Sequence, residues 1–154
     1  MPVTISGLER LSAKVTRMVA DIERSMDDEL PKIANDMQGR MRQKISGPRT
    51  GRLYKRGRRS HRASAPGEPP TVDFGNLRRS IETDVVKSYH RVDLYSGGHE
   101  APYAIYLEFG TRRMAARPFM QNSLEEFSPF ILKTVINAII TAVDKDTVPY
   151  THAA

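Results

Sequence analysis

One apolar stripe constrains this chain more than any other feature. Eleven apolar residues recur at steps of three or four along its first third: Leu8, Leu11, Val15, Met18, Ile22, Met26, Leu30, Ile33, Met37, Met41 and Ile45. This spacing matches the 3.6-residue period of an α-helix and predicts one long amphipathic helix over residues 7–45. The stripe covers either a sheet of the same chain or a contact between subunits.

Two residue types mark where this helix should begin and bend. Ser6 is suited to cap its first turn, with Glu9 three residues later as the capping-box partner. Pro31 lies inside the pattern and lacks a backbone N–H donor. We expect it to kink the helix or to split it near Glu29.

A second, more apolar helix is predicted from Pro118 to about Val143. Proline is favoured at the first helical position, because its missing N–H would have no partner there. The apolar residues that follow keep a helical spacing: Phe119, Leu124, Phe127, Ile131, Leu132, Val135, Ile136, Ile139, Ile140 and Val143. Pro129 lies within this helix and is placed to bend it, and residues 146–154 are expected to form a frayed tail.

Alternating β-branched and aromatic residues predict two strands between the helices. The segments 81–88 and 91–96 form a hairpin that turns near residues 88–90. Residues 102–109 favour a short helix. The expected fold is a single α+β domain over 1–154, in which two long helices pack on a small antiparallel β-sheet. The β-hairpin and the C-terminal helix lie within 76–145, and a long basic loop occupies 46–75.

The charge of the chain is concentrated in that loop. The net charge is +6, yet ten Lys and Arg residues and no acid lie between Gly39 and Gly67. The rest of the chain is therefore mildly acidic. Seven of the cations are candidate partner-facing or DNA-facing residues: Arg49, Arg52, Lys55, Arg56, Arg58, Arg59 and Arg62. Such a segment is either a solvated mobile loop or a contact for a polyanion or an acidic protein surface.

Several classes of function find no support in the sequence. There is no cysteine, so disulfides and thiolate metal sites are excluded. The four histidines share no metal-binding spacing, and no phosphate-loop fingerprint is present. No apolar run approaches ~18 residues, which argues against a membrane span. We expect no catalytic residues, no metal and no cofactor.

The segment 102–124 reads as a structural joint between a short helix and the last long one. Gly110 is expected to take a positive φ or to end the short helix. Glu108 is expected to pair with Arg112 or Arg113, and Phe119 to lie in the core or at a subunit contact. The candidate interface set is Tyr106, Glu108, Phe109, Gly110, Thr111, Arg112, Arg113, Arg117 and Phe119, whose arginines could face a neighbouring subunit or DNA.

Five blocks of this chain, in order, resemble the phage gene-product-ten-like family. They are Gly51-Arg-Leu-Tyr-Lys-Arg-Gly, Ala63-Ser-Ala-Pro-Gly-Glu-Pro-Pro, Gly75-Asn-Leu-Arg-Arg-Ser-Ile, Tyr103-Ala-Ile-Tyr-Leu-Glu-Phe-Gly-Thr-Arg-Arg-Met and Ala116-Arg-Pro-Phe-Met. The resemblance runs over roughly residues 30–145. Its most specific part is the block from Leu-Glu-Phe-Gly-Thr to Arg-Pro-Phe.

The resemblance implies a non-enzymatic structural protein of the virion. Family members are tail-completion or head–tail joining (neck) proteins of long-tailed phages, in homo-oligomeric rings of six or twelve around the DNA channel. The implied partners are head–tail connector and tail tube or terminator proteins, with packaged DNA as a further contact and no membrane. The protein would pass through the host cytoplasm during assembly. Two alternatives stay open, a tail-terminator ring protein and a non-specific DNA-binding protein.

Overall fold

A computed structural model describes residues 7–146 of the chain. The helices are α1 (Leu8–Lys44), α2 (Asn76–Arg79), α3 (Ala104–Phe109) and α4 (Met120–Asp146). The strands are β1 (Leu53–Arg56), β2 (Arg59–Arg62), β3 (Glu82–Val86) and β4 (Arg91–Tyr95). They form two antiparallel two-stranded sheets, β1–β2 and β3–β4. The predicted α+β architecture, with two long helices, is confirmed.

The two long helices pack against each other in antiparallel orientation. Lys44 near the end of α1 pairs with Glu126 near the start of α4, at 2.5 Å between Nζ and Oε2. Further along, the Ser25 hydroxyl donates to the carbonyl oxygen of Ala138 at 3.1 Å. The face of α4 that meets α1 carries Ser123, Phe127, Ala138 and Ala142, all buried. Small residues in the second half of α4 thus allow the two helices a close approach.

The apolar core lies at the C-terminal end of α1. It is built from residues of four separate segments: Met41, Ile45, Leu77, Ile81, Ala101, Ala104 and Phe119. Leu77 and Ile81 anchor α2, as predicted from the sequence. Burial of apolar surface at about 25 cal/mol per Å² is the main term holding these segments together. The core therefore fixes the region from which the basic segment and α3 emerge.

The β3–β4 sheet lies along the second half of α1. Gln38 and Arg42 both donate to the carbonyl oxygen of Ile81, at 3.0 and 2.8 Å, beside the start of β3. At the other end of the sheet, His90 Nδ1 lies 3.6 Å from Asp27 Oδ1. His90 has a φ of 45°, the left-handed conformation that closes the turn between the strands. The predicted hairpin and its turn are confirmed.

Proline leaves both long helices continuous. Pro31 lies inside α1 and Pro129 inside α4, without a break in either. Pro31 therefore does not split α1, because the packing of its neighbours outweighs one missing hydrogen bond. The predicted Ser6 cap lies outside the described residues, and Gly7 precedes the first turn. The second long helix begins at Met120, two residues later than predicted.

The first half of α1 has no cover within the described chain. Leu8, Leu11, Val15 and Val19 are 62%, 57%, 46% and 49% exposed. From Leu30 onward the same stripe is buried. The second half of the stripe is thus covered within the chain, as expected for a stripe that packs on its own sheet. Its first half presents an apolar surface to the outside.

By length and composition, α4 could cross a membrane, and it is the single described helix that could do so. An 18-residue window within Met120–Lys145 has a mean hydropathy of 1.4, and 17% of that window is buried within the chain. The sequence had argued against a span, because charged residues interrupt every apolar run. The core helix of a soluble protein passes the same test, and one face of α4 packs on α1.

Candidate functional site

The basic segment folds into a β-hairpin, which the sequence pattern did not predict. Leu53 of β1 pairs with Arg62 of β2, and Arg56 pairs with Arg59 across a two-residue turn. Gly57 occupies the first turn position with a φ of 63°, a conformation that glycine adopts without strain. The segment 46–75, expected to be an irregular loop, therefore contains two paired strands. The pairing fixes which cations lie opposite each other.

Most of the predicted contact residues lie on the outside of this basic hairpin (residues 53–62 with the adjoining Arg52). Arg52, Lys55, Arg58, Arg59 and Arg62 are exposed. None of these five forms an ion pair within residues 7–146. Arg52 and Arg59 lie over the rings of Tyr54 and Phe74, at 5.4 and 5.9 Å. Asp73 lies 3.8 Å from His61 Nδ1 of β2, so the cationic surface of the hairpin consists of the five exposed residues that form no ion pair of their own.

Arg49 serves the fold instead of a partner. Its guanidinium donates to four backbone carbonyl oxygens, those of Lys44, Pro48, Pro69 and Pro70. Nε lies 2.6 Å from the Pro69 oxygen. Five donors in a rigid fork suit arginine to this role. The side chain holds the end of α1 against the proline-rich segment that follows the hairpin. The prediction that Arg49 faces a partner is therefore corrected.

Glu68 closes the base of the hairpin from the other side. Its carboxylate accepts from the Thr50 hydroxyl at 2.6 Å and from the Thr50 and Ala65 backbone N–H groups at 3.1 and 2.9 Å. These hydrogen bonds lower the pKa of Glu68 from 4.5 to about 2, the Thr50 hydroxyl having the largest effect. The ionised form is therefore the one that holds residues 50 and 65 together.

We expect acid to loosen this closure. A carboxyl group whose pKa is lowered in the folded state stabilises it fully above pH 4.5 and loses that contribution as the pH falls to about 2. Glu68→Gln should therefore flatten the fall in the free energy of unfolding between those two pH values, measured by urea denaturation. Glu23→Gln, at an exposed residue without a described partner, should keep the full dependence. Identical pH profiles for the two variants would contradict the role of Glu68.

At the joint between α3 and α4, Glu108 caps the last helix. Its Oε2 accepts from the backbone N–H groups of Phe119 and Met120 at 2.8 and 3.0 Å, and its Oε1 from that of Gln121 at 2.9 Å. The first N–H groups of a helix have no partner within it, and a negative charge is favourable there. The expected pairing of Glu108 with Arg112 or Arg113 is wrong, because the carboxylate is turned towards these three donors and forms no ion pair with either arginine within residues 7–146.

Gly110 has the positive φ that the sequence predicted. It ends α3 with a φ of 75°. A Cβ placed there would lie 2.8 Å from the Met114 oxygen and from the Ala116 nitrogen. The chain then forms a tight turn in which Thr111 and Met114 exchange backbone hydrogen bonds of 2.8 and 3.2 Å. Arg112 and Arg113 occupy the exposed tip of this turn.

Arg117 joins this turn to the base of the basic hairpin. Its backbone N–H donates to the Leu107 oxygen at 2.7 Å, and its Nε donates to the Ser64 oxygen at 3.3 Å. The Gly67 N–H also donates to the Ala116 oxygen at 3.1 Å. The two groups of candidate residues, distant in the sequence, therefore meet at one place. A groove of about 600 Å³ lies between them, with Tyr54, Phe74 and Tyr103 in its wall.

The remaining interface candidates divide into buried and exposed residues. Phe119 is fully buried in the core. Tyr106 and Phe109 are 57% and 75% exposed on α3. Phe109, Ile105 and Leu124 line an apolar recess of about 480 Å³ between α3 and α4. Phe119 thus serves the fold, whereas the aromatic face of α3 is available for contact with another molecule.

The described residues contain no group of histidine and acidic side chains able to hold a metal ion. The site is therefore a set of surfaces: a cationic hairpin, an apolar face on α3 and α4, and the arginine-bearing turn. A family model described as bacteriophage HK97-gp10, a proposed tail component, matches residues 9–110. That range is more than half of the chain. The chain belongs to the HK97-gp10-like family.

Membership in the HK97-gp10-like family supports a structural role in the phage tail and implies a place in the virion. The matched range begins in α1 and ends at Gly110, so it includes the basic hairpin, the β3–β4 sheet and α3. It leaves out α4, which Glu108 caps. No curated protein gives a significant match. No solved structure gives one either.

Proposed function

We propose that this protein is a tail-completion subunit that forms a ring between the head connector and the tail, around the DNA channel. The observation that carries the proposal is the basic hairpin, whose exposed cations form no ion pair within residues 7–146, in a chain of a tail-component family. A cationic projection on an acidic body suits a subunit that lines a channel or docks on an acidic ring. The protein acts by binding and not by catalysis.

Exposed apolar surface supports assembly with other chains. On α4, Leu132, Ile136 and Ile140 are 60%, 45% and 52% exposed and lie four residues apart. The first half of α1 exposes a comparable stripe. Contiguous apolar surface on this scale is typical of protein contacts. The partners proposed are further copies of the chain, in rings of six or twelve, and the connector and tail proteins above and below, with assembly in the host cytoplasm.

One alternative has an observation of its own. The exposed Arg58 and Arg59 at the hairpin turn could neutralise phosphates of duplex DNA. The sequence contains no recognition motif for bases, so such binding would be independent of sequence. It requires the free protein to bind duplex DNA with an affinity that falls steeply with salt. A tail-terminator ring is distinguished from a neck ring by tail length, which only the loss of a terminator would change.

The proposed function is tested by the copy number of the protein in purified phage particles. We expect six or twelve copies per particle, measured by quantitative mass spectrometry against the major capsid protein. A lysate made with a phage mutant that lacks the gene should contain filled heads and separate tails of normal length. Absence of the protein from mature particles would overturn the proposal and favour an assembly factor or a DNA-binding protein.

A further inference from the structure

The outer face of the β3–β4 sheet is acidic and has no cover in the described chain. Glu82 and Asp84 are exposed on β3. Asp84 lies directly opposite Asp93 in the antiparallel register. Residues opposite each other in such a pair have their Cβ atoms about 5 Å apart, so like charges there destabilise the sheet. Arg91 pairs with Asp93 at 2.9 Å, which leaves Glu82 and Asp84 without an ion pair within residues 7–146.

The basic hairpin carries the complementary charge on the same chain. Its exposed cations have no acidic partner among the described residues, and the acids of the sheet have no basic one from the hairpin. The two surfaces are of similar length, with four-residue strands in one and five-residue strands in the other. Each surface therefore carries the charge that is opposite to that of the other. The two surfaces do not form ion pairs with each other within one copy.

The placement of the two surfaces favours a contact between copies. The hairpin follows the C-terminal end of α1, where Arg49 fixes its base. The sheet lies along the second half of α1, from Asp27 to Arg42. A contact between two different patches is heterologous, and repeated heterologous contacts generate a ring when the rotation closes. A two-fold dimer would instead need the hairpin and the sheet to lie within one patch, so that each hairpin meets the sheet of its partner.

We infer that the basic hairpin of one copy docks on the acidic β3–β4 face of the next copy. The inference deepens the proposed function, since it rests on a ring of identical subunits and names the surfaces that join them. Lys55 and Arg62, which share one face of the hairpin, and Arg58 at its turn face Glu82 and Asp84 of the neighbouring copy. The incoming cations relieve the repulsion between Asp84 and Asp93, which gives this face a specific preference for a basic partner.

Reciprocal charge reversal tests the contact with the full-length chain. One variant reverses the hairpin (Lys55→Glu, Arg58→Glu and Arg62→Glu), and the other reverses the sheet (Glu82→Lys and Asp84→Lys). Each alone should associate at least about tenfold more weakly than the native chain in analytical ultracentrifugation, because like charges then face each other. A control with Arg10→Glu and Arg17→Glu, two exposed residues on the side of α1 opposite Leu8, Leu11 and Val15, changes the net charge elsewhere and should associate normally.

The decisive result is recovery. In an equimolar mixture, each reversed hairpin meets a reversed sheet and each native hairpin meets a native sheet, so alternating rings with an even number of copies should form. A chain that carries both reversals should also associate by itself. Failure of both recoveries, loss of association in the α1 control, or a native chain that stays monomeric at its highest soluble concentration would overturn the inference.

The same measurements separate this inference from the function on which it rests. Association that survives both single reversals would exclude the hairpin–sheet contact and leave a ring held by the apolar helix faces. Binding of a duplex DNA probe by the native hairpin, without self-association, would assign the cations to phosphate contact and overturn the inference. Absence of the protein from particles would remove the neck function, whatever the reversal experiments show.

Discussion

Replacing Phe119 by alanine is expected to destabilise the folded chain by about 3–5 kcal/mol. Phe119 is fully buried, and it is the largest of the fully buried side chains. It packs with Met41 and Ile45 of α1 and with Ile81 beside β3. Its removal leaves a cavity where α1, the β3–β4 sheet and α4 converge. Urea denaturation followed by circular dichroism measures the loss.

Phe109 provides the matched control for this prediction. It is also a phenylalanine of the α3–α4 joint, yet it is 75% exposed. Phe109→Ala should change the free energy of unfolding by no more than about 0.5 kcal/mol. If α3 meets another chain, the same substitution should weaken association. Equal destabilisation by the two substitutions would contradict the assignment of Phe119 to the core.

Replacing Glu108 by alanine should destabilise the chain by about 1–2 kcal/mol, the upper part of the range for helix caps. Three backbone N–H groups at the start of α4 lose their acceptor, and a negative charge is removed from the positive end of the helix. Amide exchange at Phe119, Met120 and Gln121 should accelerate more than exchange in the middle of α4. Thermal denaturation and hydrogen exchange measure the two effects.

Glu125→Ala controls for the loss of one acidic side chain near the start of α4. Glu125 is exposed and accepts only the side-chain amide of Gln121, at 2.9 Å. Its removal should leave stability within about 0.5 kcal/mol. Glu108→Gln should fall between the two, because an amide keeps one oxygen acceptor and loses the charge. A Glu108→Ala protein as stable as the control would exclude the capping role.

The helices and strands that have an apolar period could be predicted from the sequence. The stripe of α1 predicted the burial of Leu30, Ile33, Met37 and Met41, and alternation predicted the β3–β4 hairpin. The β1–β2 hairpin was missed because its strands consist mainly of arginine, lysine and other polar residues, which give no apolar period. A glycine between two segments of equal length, at Gly57, was the available signal.

The roles of Glu108 and Arg49 were beyond the reach of local patterns. A capping search looks for an acceptor within three residues of the helix start, whereas Glu108 lies eleven residues before Phe119. In the sequence, Arg49 is not distinguishable from the other cations of the basic segment. Its carbonyl partners, at Pro69 and Pro70, come within reach only because the chain returns past the end of α1. Both roles depend on tertiary folding.

The length of α1 has a mechanical consequence for any assembly of this protein. A helix of 37 residues is about 55 Å long. Arg49 clamps the basic hairpin to one end of this rod, so the hairpin cannot swivel independently of it. A tilt of one degree at the hairpin therefore displaces the N-terminal end of α1 by about 1 Å. Seating the hairpin therefore sets the angle of the whole subunit.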